Sequence, residues 1–135
     1  MHVRVIDGWL IAFPETRAER RRGLLGRDRI GTREALVLAN ARSVHTIGMQ
    51  ASIDVIVLDR DWRTLRILLL HPGHVVMPRP GARHIVEVAA GCGQAFISAL
   101  DGRTIRDARD SARPARTAGG SRRRTRHGSD LRRSA

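Results

Sequence analysis

Residues 53–58 read Ile-Asp-Val-Ile-Val-Leu, an apolar run broken by one carboxylate. A strand with one solvated face alternates apolar and polar residues. This run barely does so, which means that both of its faces must be covered. Any fold for the chain therefore has to supply material on each side of a sheet at this point. Ile85–Ala89 is a further apolar strand, and it too carries one acid, Glu87. Burying an unpaired carboxylate is costly. Asp54 and Glu87 must each reach solvent, an Arg or backbone amides, and a buried acid paired in this way is as often structural as functional.

The surrounding pattern supplies more short strands. Val3–Ile6 and Trp9–Phe13 flank Asp7-Gly8. Asp-Gly between two such runs predicts a tight primed turn, because both turn positions need positive φ. Ala35–Ala39, Val44–Ile47, Leu65–Leu70 and Val75–Met77 complete the candidate strands, with breaks at Asp59–Trp62, His71–Gly73 and Pro78–Gly81. One helix is well signalled. Thr16-Arg17-Ala18-Glu19 has capping-box spacing, and Gly26 offers a stop after Leu24-Leu25. Gly91–Ala99 suits a second, short helix, and Asp101-Gly102 reads as a turn into a last strand near Arg103–Ile105. The sum predicts an α+β fold: a single compact domain of mostly antiparallel short strands in a barrel-like sheet, with one or two helices.

Charge divides the chain in two. Of 135 residues, 25 are Arg and none is Lys, giving a net charge of +12. Residues 1–102 carry 14 Arg and 10 acids, a modest +4, and residues 103–135 carry 11 Arg and 3 acids, or +8. From residue 107 onward Leu131 is the only large apolar side chain. Such a segment buries too little apolar area to offset backbone ordering of roughly 1–2 kcal/mol per residue. The expected organisation is a domain over residues 1–106 and a disordered Arg-rich tail over 107–135. Arg122, Arg123, Arg124 and Arg126 form the tail's densest cluster, suited to weak nonspecific polyanion binding through counterion release. No Tyr and only two Trp and two Phe argue against an aromatic platform for single-stranded nucleic acid. A tail of Arg, Ala, Gly and Pro is also what a GC-rich reading frame produces without any selected role.

Cys92 is the sole cysteine, so no intramolecular disulfide can form. No run approaches the roughly 20 apolar residues of a membrane span, and the first residues lack a secretory pattern. A cytoplasmic protein without membrane association is expected.

The ordered blocks Arg22-Gly23-Leu24-Leu25-Gly26-Arg27, Ile53–Asp59, Asp61–Leu65 and Val86–Gly91 resemble, in that order, four motifs of the domain of unknown function family 192 (DUF192). Those motifs are R-G-L-M-x-R, L-D-x-I-F-x-D, D-G-x-V and V-L-E-x-x-x-G. The resemblance covers about residues 10–105 and suggests a divergent, actinobacterial-like member. The chain departs from the pattern in three places. His45–Met49 stands where the family has W-M-K-N-T, Ser52 replaces the Pro before L-D, and the Gly of the G-M-L-F strand is lost around Glu34–Val37. The resemblance implies a compact α+β domain and brings no reaction with it.

Arg22, His45, Asp54 and Glu87 are the candidate family cluster. A pocket shared by His45, Asp54 and Glu87 would suit an enzyme or a small-ligand binder, provided the side chains converge. His71-Pro72-Gly73-His74 has a two-residue His spacing, and His45, His84 and Cys92 join it as zinc ligands only if three or four donors converge. The intervening Pro-Gly turn argues against that, so neither metal nor cofactor is expected. Gly91-Cys92-Gly93 lacks the third glycine of a dinucleotide fingerprint, and Cys92 reads as a packed, inert thiol. The function these features support is non-enzymatic ligand or partner binding, with polyanion binding by the tail as the alternative.

Overall fold

The computed structural model describes residues 1–24, 27 and 29–112. The elements run β1 (His2–Ile6), β2 (Trp9–Phe13), α1 (Arg17–Arg22), β3 (Glu34–Leu38), β4 (Val44–His45), β5 (Ile53–Leu58), β6 (Thr64–Leu70), β7 (Val75–Val76), β8 (His84–Ala89), α2 (Gly93–Ala99) and α3 (Gly102–Ala112). Six strands form one sheet in the order β1-β2-β3-β8-β5-β6, and β4 and β7 pair separately. All ladders are antiparallel except β2–β3, whose parallel pairing is reached through the α1 crossover. The sheet is open, with β1 and β6 as its edges, so the expected barrel-like closure does not occur.

Local signals act as the sequence predicts. Asp7 and Gly8 turn β1 into β2 with φ of 50° and 78°, as a primed turn demands. Thr16 Oγ1 accepts from the Glu19 amide at 3.1 Å, and the Glu19 carboxylate accepts from the Thr16 amide at 3.3 Å, completing the capping box. The helix ends sooner than expected. Gly23 caps it, donating its N–H to the Glu19 carbonyl, and Gly26 lies outside the described residues.

β5 is buried on both faces along its whole length, as its composition requires. Alternate residues feed two cores. Ile56 and Leu58 join Trp9, Ile11, Phe13, Val37, Val86, Val88 and Phe96 on one side, under α2 and α3. Ile53, Val55 and Val57 join Leu24, Leu36, Leu38, Met49 and Ile85 on the other. That second layer is capped by the β4–β7 ribbon: Val44 and Val76 pair across it and pack on the core. Thr46 pins the ribbon to the 71–74 turn. Its hydroxyl donates to the His71 carbonyl at 2.7 Å and accepts from the His74 amide at 2.9 Å.

The region after residue 100 corrects the sequence reading. The segment around Arg103–Ile105 is helical, giving three helices among the described residues rather than one or two, and α3 runs to Ala112. Asp101 supplies the reason. Its carboxylate accepts from the Thr104 amide at 2.7 Å, acting as a helix cap rather than a turn residue. Ile105 and Ala108, three apart on one face, then enter the first core. Residues 113–135, with Arg122, Arg123, Arg124 and Arg126, lie outside the described residues.

Gly102 opens α3 against the β5–β6 turn. A Cβ there would collide with the Trp62 carbonyl oxygen, a backbone atom with no room to yield. Gly102→Ala should therefore destabilise the fold by roughly 1–3 kcal/mol, the range of core overpacking. Urea unfolding of the two proteins measures it, and an unchanged midpoint would refute the contact.

Candidate functional site

Strand parity decides where the acids go. Val55 lies opposite Glu87 in the β5–β8 ladder, and Asp54 lies opposite Val88. Directly opposed residues share a face, and successive residues on a strand alternate. Glu87 therefore faces the Leu24–Met49 layer, and Asp54 faces the layer under α2 and α3. The two carboxylates sit on opposite sides of the sheet.

Asp54 is satisfied where it lies. Its Oδ2 accepts from the Gly93 amide at 2.9 Å, at the first turn of α2. A Cβ on Gly93 would stand 2.9 Å from that oxygen and 3.0 Å from Ile67. The glycine is thus required for close approach of helix and carboxylate. Cys92, the N-cap of α2, makes no side-chain capping bond and packs partly buried against the first core. This docking accounts for Gly93, and a φ of 81° accounts for Gly91.

Glu87 is different. It is only 6% exposed, and among the described residues its carboxyl has neither a hydrogen-bond nor an ion-pair partner. Burial alone pushes its pKa up to about 7, so close to half of the group keeps its proton at neutral pH. It borders a cavity of about 280 Å³ walled by Leu24, Leu38, Ala41, Val44 and Met49, with Arg20, Ser43 and His45 as its other polar lining. A smaller cavity of about 130 Å³, lined by Leu10, Ala12, Ile30 and Leu36, lies on the other side of Gly23 and Leu24 and also reaches Glu87.

The expected cluster divides accordingly. His45, on β4, shares the larger cavity with Glu87. Arg22 is exposed at the end of α1 and is not part of the lining. Arg20 takes the position instead. Its Nη2 donates to the Ala39 carbonyl at 2.9 Å, which draws the side chain across the sheet end. Arg20, from the helix, and Leu24, from the turn that follows its Gly23 cap, both line the cavity.

The other histidines are tied up separately. His71 Nδ1 bonds Ser52 Oγ at 2.8 Å, and His74 Nδ1 bonds the His71 carbonyl at 2.9 Å. His84 is buried and stacks on Trp62 with ring centroids 3.7 Å apart, its Nδ1 accepting from the Asn40 amide. Burial first, then the Arg109 and Arg83 charges, hold its pKa down at about 4. No group of three His, Cys, Asp or Glu converges among the described residues. None of the described helices is long and apolar enough to cross a membrane.

A family model, DUF192 (Uncharacterized ACR), matches residues 7–99. A protein of unknown function from Novosphingobium aromaticivorans is similar in structure, with a TM-score of 0.57 at 16% identity, over 76% of this chain and 90% of that one. A putative transcription regulator from Sinorhizobium meliloti is similar with a TM-score of 0.56 at 13% identity, over 74% and 85%. At these identities the likeness is one of fold. No curated protein matches the chain.

The folded state holds the Glu87 proton up to about pH 7, whereas the unfolded chain releases it near 4.5. The folded form binds more protons between those values, so the Glu87 contribution to stability falls as pH rises through that window. Glu87→Gln should match the parent near pH 4.5 and exceed it at pH 8 by up to roughly 3 kcal/mol, at 1.36 kcal/mol per pH unit. Urea melts at both pH values test this. Equal stability at pH 8 would mean that the carboxylate is already compensated.

Proposed function

We propose, from the premise that the chain belongs to the DUF192 family, that it is a non-enzymatic module binding a small, mainly apolar molecule in the cavity beside Glu87. One observation carries the reading: a nearly buried carboxyl, unpartnered among the described residues, faces a largely apolar cavity of about 280 Å³. Apolar walls with a few convergent polar groups are the usual composition of a small-molecule site. The volume is at the low end for such sites and suits a ligand of few heavy atoms. Acid–base chemistry by paired carboxylates has no support, because Asp54 is on the other face of the sheet and already bonded to Gly93.

Met49 lines this cavity, whereas Met77 lies at a separate groove near Arg42 and Pro80. The chain has three methionines, so the methyl resonances of the full-length protein distinguish the sites. Titration with n-butanol should shift the Met49 methyl saturably and leave Met77 in place. Ala41→Phe, which fills the cavity, should remove the response. Parallel drift of both methyls, or no saturation, would overturn the reading.

A second reading rests on charge alone. The +8 borne by residues 103–135 favours weak polyanion binding by the tail. Heparin retention that falls with salt, and that is lost when residues 113–135 are removed, is expected. The cut belongs after Ala112 because α3 extends that far. Undiminished retention by the shortened chain would sink the proposal.

A further inference from the structure

Resting on that cavity reading, we infer that the polar group of the ligand is a protonated primary amine, which pairs with the Glu87 carboxylate while a short aliphatic body lies against Leu24, Leu38 and Met49. The argument begins with what surrounds the carboxyl. Its direct neighbours across the two ladders are Leu36 and Val55, both apolar. The backbone amides of β3, β8 and β5 are committed to the ladders on either side. Among the described residues, none of the charged groups at the two cavities pairs with it. From α1, Arg20 donates to the Ala39 carbonyl. Beyond α1, Arg27 pairs with Glu34 of β3 at 2.7 Å. The Met1 ammonium pairs with Glu19 at 2.7 Å. From β4, His45 lies exposed at the cavity lining.

A buried acid without a cation is a standing cost, relieved either by holding a proton or by gaining a counter-charge. An incoming ammonium supplies the charge and three donors in a compact head. An alcohol supplies one neutral hydrogen bond and leaves the ionised form uncompensated. A carboxylate ligand would set a second acid against the first. The apolar walls then require the rest of the ligand to be hydrocarbon, and the volume limits it to a short chain.

Three probes matched in length separate these cases: n-butylamine, n-butanol and n-butyrate, each titrated against the Met49 methyl of the full chain at pH 6 and pH 8. The amine stays protonated at both values, while Glu87 passes from mostly neutral to mostly ionised. Amine affinity should therefore rise about tenfold between them, with butanol changing little and butyrate binding weakest. Glu87→Gln should keep butanol binding and lose both the amine preference and its pH dependence. His45→Gln, which removes the other titratable side chain at this cavity, should keep them. Butanol binding without an amine preference, or tighter binding of butyrate, overturns the amine inference and leaves the cavity reading standing. Failure of all three probes to move Met49 saturably overturns both.

Discussion

The pairing of β5 with β8 is the constraint on which the rest depends. Both strands are buried on both faces, with only Ala89 at the end of β8 less than fully covered. A doubly buried pair needs two separate apolar layers, and the chain builds them from unlike parts. One side takes α2, α3 and the Trp9–Phe13 face of β2. The other takes Leu24 after α1, the inner face of β3 and the small β4–β7 ribbon. The second assembly consists of short pieces, and short pieces leave gaps. It is there that the two cavities bordering Glu87 occur.

The acids on this pair show how a fold distinguishes structural from available polar groups. Asp54 is consumed by the amide of Gly93, so its charge fixes where α2 begins. Among the described residues, Glu87 has no such partner. A carboxyl buried without compensation is retained against roughly 1–3 kcal/mol of desolvation penalty. Nothing in the packing of β8 needs it, since Leu36 and Val55 beside it would accept an apolar residue equally well. The contrast, more than the raised pKa, sets Glu87 apart from Asp54.

Much of this was legible in the residues and some was not, for definite reasons. The strands, the Asp7-Gly8 turn and the Thr16–Glu19 box rest on local chemistry, and local chemistry is written in adjacent positions. Sheet order is not. The parallel β2–β3 pairing depends on where the α1 crossover lands, and closure of the sheet depends on whether β1 and β6 meet. The split between Asp54 and Glu87 is a matter of register. Each acid alternates with its neighbours, but only the pairing of Val55 with Glu87 reveals that the two alternate out of phase. Arg20 was hidden by its neighbours, because consecutive arginines spread around a helix and only packing selects one of them. The strand expected near residue 103 failed for another reason: Asp-Gly serves both as a turn and as a cap followed by a helix, and the partner across the chain decides.

That partner is Trp62, and it explains why the decision is firm. Trp62 has φ of 64°, in the left-handed region, at the position where the D-G-x-V pattern places glycine. A bulky residue there costs about 1–2 kcal/mol of backbone strain. The indole offsets it by burying itself in the first core and stacking flat on His84, 3.7 Å away and 9° from parallel. Burial keeps His84 neutral in this stack down to about pH 4. The same turn brings the Trp62 carbonyl against the start of α3, where only a residue without a Cβ fits. Glycine is thus absent at one side of the contact and required at the other. With Gly102 in place, Asp101 caps the helix and Ile105 and Ala108 reach the core that the indole also fills. The tryptophan that strains the β5–β6 turn is therefore part of the layer that covers β5, and the helix that a local reading takes for a strand forms because that layer has a face left to bury.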